Sequence, residues 1–185
     1  MPVIWTPPIT WQVDQLVTEA DLNQQVRDNL EFLYAGLTGY ILLRDEKNLG
    51  TDGGTFTAGA WLTRELNTKV VDVGNYASLS GNQISLPAGT YRCRIQCPAY
   101  SVNKHQARLY NVTSAAVLLL GSSQRNPSGG NHTIPSIIIG RFTLPAARVL
   151  EVQHRCETTL AGTGLGINSG FDTEVYTIAE FWKEA

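Results

Sequence analysis

The stretch LNTKVVDVGNYASLSGNQISLPAGTYRCRI, residues 66–95, sets the fold class. It reads as four short strands, at 68–73, 76–79, 82–86 and 90–97, punctuated by Ser-Gly-Asn at 80–82 and Pro-Ala-Gly-Thr at 87–90. The same texture extends on both sides. Further strands are expected at 40–44, 60–66, 105–112, 115–121, 135–143, 148–156 and 173–183, with breaks at 48–54, 125–132 and 161–170. Many short strands at regular spacing, with no helix between them, predict a β-sandwich or jelly roll.

Two strands carry informative faces. In RVLEVQHRCE (148–157), Val149, Glu151, Gln153 and Arg155 alternate with Leu150, Val152, His154 and Cys156. In TEVYTIAEFWKE (173–184), Tyr176, Ile178 and Trp182 oppose Val175, Ala179 and Phe181, so both faces are largely apolar. That pattern suits a central strand or one lining a subunit interface. Cys93 and Cys97 share a predicted strand about 13 Å apart, too far to bridge without bending it. Three reduced, mostly buried thiols are expected, with a bridge from Cys156 to one of the others as the alternative.

One segment breaks the β pattern. TEADLNQQVRDNLEFLYAGL (18–37) predicts an amphipathic helix, opened by a Thr18/Asp21 capping box and ended near Gly36 and Gly39. Leu22, Val26, Leu30, Leu33 and Leu37 form its apolar stripe, with Leu22 offset as in a stutter. A lone helix of about 20 residues is marginal in water, so the stripe needs a partner. Either it docks on its own β domain, or copies of the chain associate around an axis, the reading preferred here. Before it, WTPPITW (5–11) sets Trp5 and Trp11 around Pro7 and Pro8. Such an extended aromatic arm suits insertion into a groove on another protein; the alternative is an arm lying along its own oligomer or disordered in isolation. The chain therefore divides into an arm (1–17), a stalk helix (18–39) and a β head (40–185).

Composition excludes several classes. The 185 residues carry a formal charge of −2, with 16% charged residues and no basic stripe, so no nucleic-acid or anionic-membrane footprint is present. The longest apolar runs, at 115–120 and 137–140, are strand-sized, and no membrane insertion is expected. The N-terminus has neither the cationic start nor the apolar run of a signal peptide, so export by the usual route is not expected.

Residues 66–95 resemble the front half of the TNF-like jelly roll found in the globular heads of complement-type proteins. The resemblance rests on Asn67, Gly74 before Tyr76, Gly81 before Ile84, and Pro87, Ala88, Gly89 and Tyr91; Gln83-Ile84 stands where phenylalanine is common. The stretches at 43–68, 98–113, 140–144, 150–159 and 174–184 are similar to C-terminal domains of bacteriophage fibre and other virion proteins. VTEADLNQQVRDNLEFL (17–33) is similar to N-terminal parts of phage structural proteins. The resemblance implies a homotrimer of ten-stranded, mainly β jelly rolls on stalk helices, assembled in a host cytoplasm and held on a virus particle.

The remaining candidate chemistry is weak. His105, His154, Cys93, Cys97 and Cys156 lack the local spacing of a metal site, and no metal or cofactor is expected. A Cys-His nucleophile has no evident oxyanion hole. Glu151, Glu157, Asp172 and Glu174 are available for sugar hydrolysis, but nothing in the sequence brings two together. The Gly-rich run at 162–166 opens no helix, which argues against a phosphate cradle. The expectation is a non-enzymatic trimeric fibre or spike, anchored by its arm, with a head directed at a host-surface glycan or protein. SSQRNPSGGNHT (122–133) is the preferred contact loop, through Arg125, Asn126 and His132. The alternatives are a collar, plug or capsid decoration without a host ligand, and a polysaccharide depolymerase.

Overall fold

The structure, a computed structural model, describes residues 5–184, and the side chains of all of these except 35–38. Residues 1–4 of the expected arm, the Leu37 side chain and Ala185 lie outside the described residues. Among the described residues, twelve strands follow one helical segment. They are β1 (Tyr40–Lys47), β2 (Leu62–Thr63), β3 (Thr68–Asp72), β4 (Ser78–Ser80), β5 (Gln83–Leu86) and β6 (Gly89–Tyr100). After them come β7 (Asn103–Asn111), β8 (Ala116–Leu120), β9 (Gln124–Asn126), β10 (Thr133–Leu144), β11 (Arg148–Cys156) and β12 (Glu174–Lys183).

The strands form two antiparallel sheets. One runs β10-β6-β12-β1-β3; the other runs β4-β5-β11-β7-β8, with β2 added to β11 and β9 added to β7. Each sheet turns one face inward, as the alternation predicts. Tyr91, Cys93, Ile95 and Cys97 of β6 meet Leu150 and Val152 of β11, Ala107 and Leu109 of β7, and Ala179 and Phe181 of β12 in one continuous core. Each fully buried large side chain contributes roughly 1.5–3 kcal/mol by leaving water, which explains why the period-2 pattern dictates the sandwich. All three cysteines are free and buried.

A second, smaller cluster of Phe56, Ala99, Val102, Cys156 and Leu165 closes the end of the sandwich away from the helix. That end is identified by connectivity. β1 leaves the helix at Tyr40, β12 returns to it where Lys183 N donates to Gly39 O (2.9 Å), and Lys47 pairs with Glu174 at the opposite extreme. There the 48–61 and 157–173 loops bind each other, through Gly53 N to Gly166 O and Phe56 N to Leu160 O. Gly166 has φ +142, and a Cβ on it would sit 2.4 Å from the Tyr176 ring. Close packing over Tyr176 accounts for Gly166, and close packing against Phe56 for Gly164.

The sequence reading needs three adjustments. Only residues 62 and 63 of the expected 60–66 strand pair, because Arg64 turns into the interior. The polar stretch 122–133 is not one loop: Gln124–Asn126 pairs with β7 as β9, leaving a short turn before β10. With β9 added, the described residues form twelve strands, against the eleven read from the sequence and the ten that the resemblance implies.

The helical segment comprises α1 (Glu19–Leu22), a π-helical stretch (Asn23–Asp28) and α2 (Asn29–Thr38). Thr18 and Asp21 form the expected capping box, while Gly36 lies within α2 and Gly39 caps it. The π stretch has a local cause. Asn29 N–H bonds to Val26 O, while the Asn29 side-chain amide donates to Gln25 O at 3.3 Å, so a side chain enters the backbone ladder.

Candidate functional site

Three places are candidates for a functional surface: the N-terminal helix, the outward face of the first sheet, and the end of the sandwich away from the helix. On the stalk, Leu22, Val26, Leu30 and Leu33 remain 52%, 50%, 60% and 51% exposed. The stripe therefore does not dock on its own β domain. The arm lies beside it. Thr6 N donates to Asn29 Oδ1 and Asn29 Nδ2 returns the bond to Thr6 O, both at 3.0 Å. Ile9 N donates to Gln25 Oε1 at 3.1 Å, and the Trp5 ring rests 5.9 Å from Phe32. Two amide side chains thus hold the extended backbone of the arm antiparallel to the helix. Pro7, Pro8 and Trp11 stay exposed.

The outward face of β10-β6-β12-β1 carries cross-strand rows. Arg141, Arg92, Trp182 and Tyr40 form one; Ile139, Arg94, Glu180 and Leu42 form the next. Tyr40 donates to Glu180 at 2.9 Å and lies 5.4 Å from the Trp182 ring, which also carries the Arg92 guanidinium at 5.2 Å. Ile139 is 67% exposed. This face therefore combines an exposed isoleucine and a half-buried aromatic pair with three arginines and a glutamate, on the sheet whose strand β1 follows the helix.

At the far end, the outward face of the second sheet holds a groove of about 810 Å³. The register builds it: Lys104 and Gln106 of β7 share one face, Arg125 of β9 pairs with Lys104, and Arg155 of β11 pairs with Gln106. Trp61, at the start of β2, forms one wall. Its ring stacks on the Arg108 guanidinium at 4.1 Å, which also lies 4.8 Å from Tyr110. Arg108 Nε donates to Gln153 Oε1, Gln153 Nε2 to Glu151 Oε2, and Thr63 Oγ1 and Gln83 Nε2 to the same carboxylate. Burial opposes the charge of Glu151, but these three donors prevail and hold its pKa below the usual value. The wall is therefore fixed by a bonded chain rather than left to rotate.

The loop residues expected to bind ligand are separated by the fold. Arg125 is exposed and lines the groove. Asn126 is fully buried: its Nδ2 donates to Ala99 O at 2.6 Å, and its Oδ1 accepts from Val102 N at 3.2 Å. Its amide is committed to the fold and does not reach a ligand. His132 is exposed at the same end, on the turn before β10, but outside the groove lining. Sequence reading missed Trp61, Lys104 and Gln106; Arg155 was legible only as a position on one face of its strand.

The histidine and cysteine candidates are interior. Burial raises the Cys93 and Cys97 thiols to about 12 and Cys156 to about 11, and Cys156 Sγ donates to Thr158 O at 3.4 Å. They are neutral thiols. Among the described residues, no group of three or more His, Cys, Asp or Glu side chains is placed to hold a metal ion. Among them also, no helix is long and apolar enough to cross a membrane. Glu174 is a loop clamp: its carboxylate accepts from Ser169 N, Gly170 N and Gly50 N, with the Ser169 bond foremost in holding its pKa down to about 2.

A β-sandwich preceded by a short helix with an exposed apolar stripe is what these features define, and solved structures share the sandwich fold. The globular domain of zebrafish complement 1qA protein is 11% identical, with a TM-score of 0.50 over 80% of this chain and 98% of its own. Murine APRIL is 13% identical, with a TM-score of 0.51 over 77% and 97%. The PRD1 vertex protein P5 is 16% identical, with a TM-score of 0.49 over 80% and 98%. No protein-family model matches the chain, and no curated protein matches it by sequence. At these identities the likeness is one of fold: a mainly β, TNF-like jelly roll preceded by a short N-terminal helix.

Proposed function

We propose that the chain is a homotrimeric virion spike or fibre, non-catalytic, whose stalk and arm face the particle and whose head presents its far end to the host surface. The observation that carries this reading is the exposed leucine stripe on a helix that runs without a linker into β1. A short helix whose described stripe residues stay about half exposed is marginal alone and gains stability when copies cover it. The outward face around Tyr40, Trp182 and Ile139 supplies the larger contact that a short stalk lacks. The sequence resemblance to phage fibre domains supports the virion setting. The exposed Trp11 and Pro7-Pro8 suit anchoring to another virion protein, and Arg125 and His132 lie at the outward end.

Light scattering after gel filtration, on the full chain and on residues 40–185, tests this directly. Three times the chain mass for both is expected. A monomer in both sinks the spike reading. If mutation of the far-end residues leaves host adsorption unchanged while the trimer persists, a collar or decoration role replaces attachment.

A further inference from the structure

The groove at the far end of the head has features that a plain solvated surface does not need. Four side chains converge on it from three strands through fixed register: Lys104 and Gln106 from β7, Arg125 from β9 and Arg155 from β11. Lys104 and Arg125 are direct cross-strand partners, about 5 Å apart at Cβ, and Arg155 stands beside Gln106 on the other side of β7, so three cations line one groove of a chain whose net charge is −2. One is neutralised, by Glu157 at 3.0 Å from Lys104 Nζ. Among the described residues, neither the Arg125 nor the Arg155 side chain has a salt bridge or hydrogen bond, although Glu157 also feels the Arg125 charge; the two guanidiniums open onto the same groove from opposite sides of β7. That leaves an excess of positive charge in the groove, which favours an anion.

The rest of the lining points to the kind of anion. Trp61 offers a flat apolar wall, and its stacked Arg108 is tied through Gln153 to Glu151, so the ring is positioned before any ligand arrives. Gln106 and Gln124 use their amide nitrogens on Gly121 O and Ser122 Oγ, which leaves both amide oxygens for hydroxyl donors. The volume falls within the roughly 300–1,000 Å³ range of small-ligand sites.

We infer that this groove binds an acidic saccharide, with the carboxylate held between Arg125 and Arg155 and a pyranose ring lying on Trp61. A guanidinium meets a carboxylate with two parallel N–H donors, a match that a sugar bearing only hydroxyls cannot make. The apolar C–H face of the pyranose covers the indole, and the glutamine oxygens accept from ring hydroxyls. This inference rests on the outward-facing head of the proposed function and names the ligand class it takes.

The test titrates the full chain by calorimetry with three probes: trigalacturonate, a hyaluronan tetrasaccharide and an α2,8-linked disialic acid, with maltotriose as the neutral control. Binding of at least one acidic probe, weakened by salt and absent for maltotriose, is expected. R125A and R155A should each weaken it about tenfold, because each removes a charge-assisted pair, and W61A should weaken it too. Circular dichroism and solution mass of the variants check that the fold is kept. Silence of all three acidic probes, or affinity unchanged in R125A/R155A, overturns the inference. If the probes are silent but R125A/R155A lowers particle adsorption, the groove takes a protein receptor instead. A full chain that binds the sugar but is monomeric sinks the spike reading and leaves the groove assignment standing.

Discussion

His105 Nδ1 lies 3.0 Å from His154 Nε2, with both rings buried and the His154 ring 4.7 Å from Phe56. One nitrogen of that contact must carry the proton and the other accept it. The outer nitrogens, His105 Nε2 and His154 Nδ1, have no partner among the described residues. Burial, reinforced by the Arg64 charge, depresses His105 to about 4 and His154 well below its usual value.

A pH dependence follows from that pair. In the unfolded chain both imidazoles titrate near ~6.5, whereas in the fold they stay neutral. Below that pH the unfolded chain binds more protons, so stability is full above about 6.5 and is lost as the pH falls toward 4. Thermal melts from pH 8 to pH 4 should show a fall confined to that acid interval. H105Q/H154Q should be less stable at pH 7 yet show a flatter acid limb. An unchanged slope would remove the pair as the cause.

Arg64 predicts a large stability effect without any catalytic meaning. It is fully buried and donates through Nε to Thr177 Oγ1 (2.9 Å), through Nη1 to Pro98 O (3.2 Å) and through Nη2 to Leu165 O (3.1 Å). R64M keeps most of the volume and leaves three buried acceptors without donors. Each orphaned acceptor costs ~1–3 kcal/mol, so urea unfolding should show a loss of about 3 kcal/mol or more. A loss below ~1 kcal/mol would mean that water replaces the guanidinium.

Asn29→Ala should free the arm. It removes both bonds to Thr6 and the side chain that enters the ladder at Gln25, while Ile9 keeps its own bond. Faster proteolytic cleavage within residues 5–17 is expected, with the melting temperature of the head unchanged. Cleavage at the wild-type rate would show that the arm is held by Trp5 on Phe32 rather than by the amide clamp.

L30D/L33D separates a solvated stripe from a contact surface. Both positions are half exposed or more in the single chain, so a monomer tolerates the charges at little cost. In a trimer, six carboxylates would meet on the axis and splay the helices. Accelerated proteolysis of residues 19–38, with the head still trimeric, is the expected outcome. A helix as resistant as wild type would take the stripe off the axis.

The strand texture, the capping box, the leucine stripe and the inward face of β11 were all readable because each is a local period: side chains two apart on a strand, or three and four apart on a helix, share a face whatever the rest does. The same arithmetic put Arg155 on one face with Val149, Glu151 and Gln153, and the structure shows that it is exposed there. β9 escaped because three polar residues joined to β7 by backbone bonds leave no apolar period. Asn126 escaped for a related reason: an amide in a polar run reads as a surface group, and only the arrival of Ala99 and Val102 makes it interior.

The sequence by itself determined a β-sandwich head, its core faces and a helix with one unburied apolar stripe, because burial follows side-chain alternation along each element. Only the tertiary structure decided what stands beside what across long separations: Trp61 on Arg108, Arg125 against Lys104, Arg155 against Gln106, His105 against His154. Those neighbours come from the pairing of strands and the folding of the 48–61 loop over the second sheet. Strand pairing is set by backbone bonds that any residue but proline can make, so the side chains that meet in the groove leave no mark on one another in the sequence.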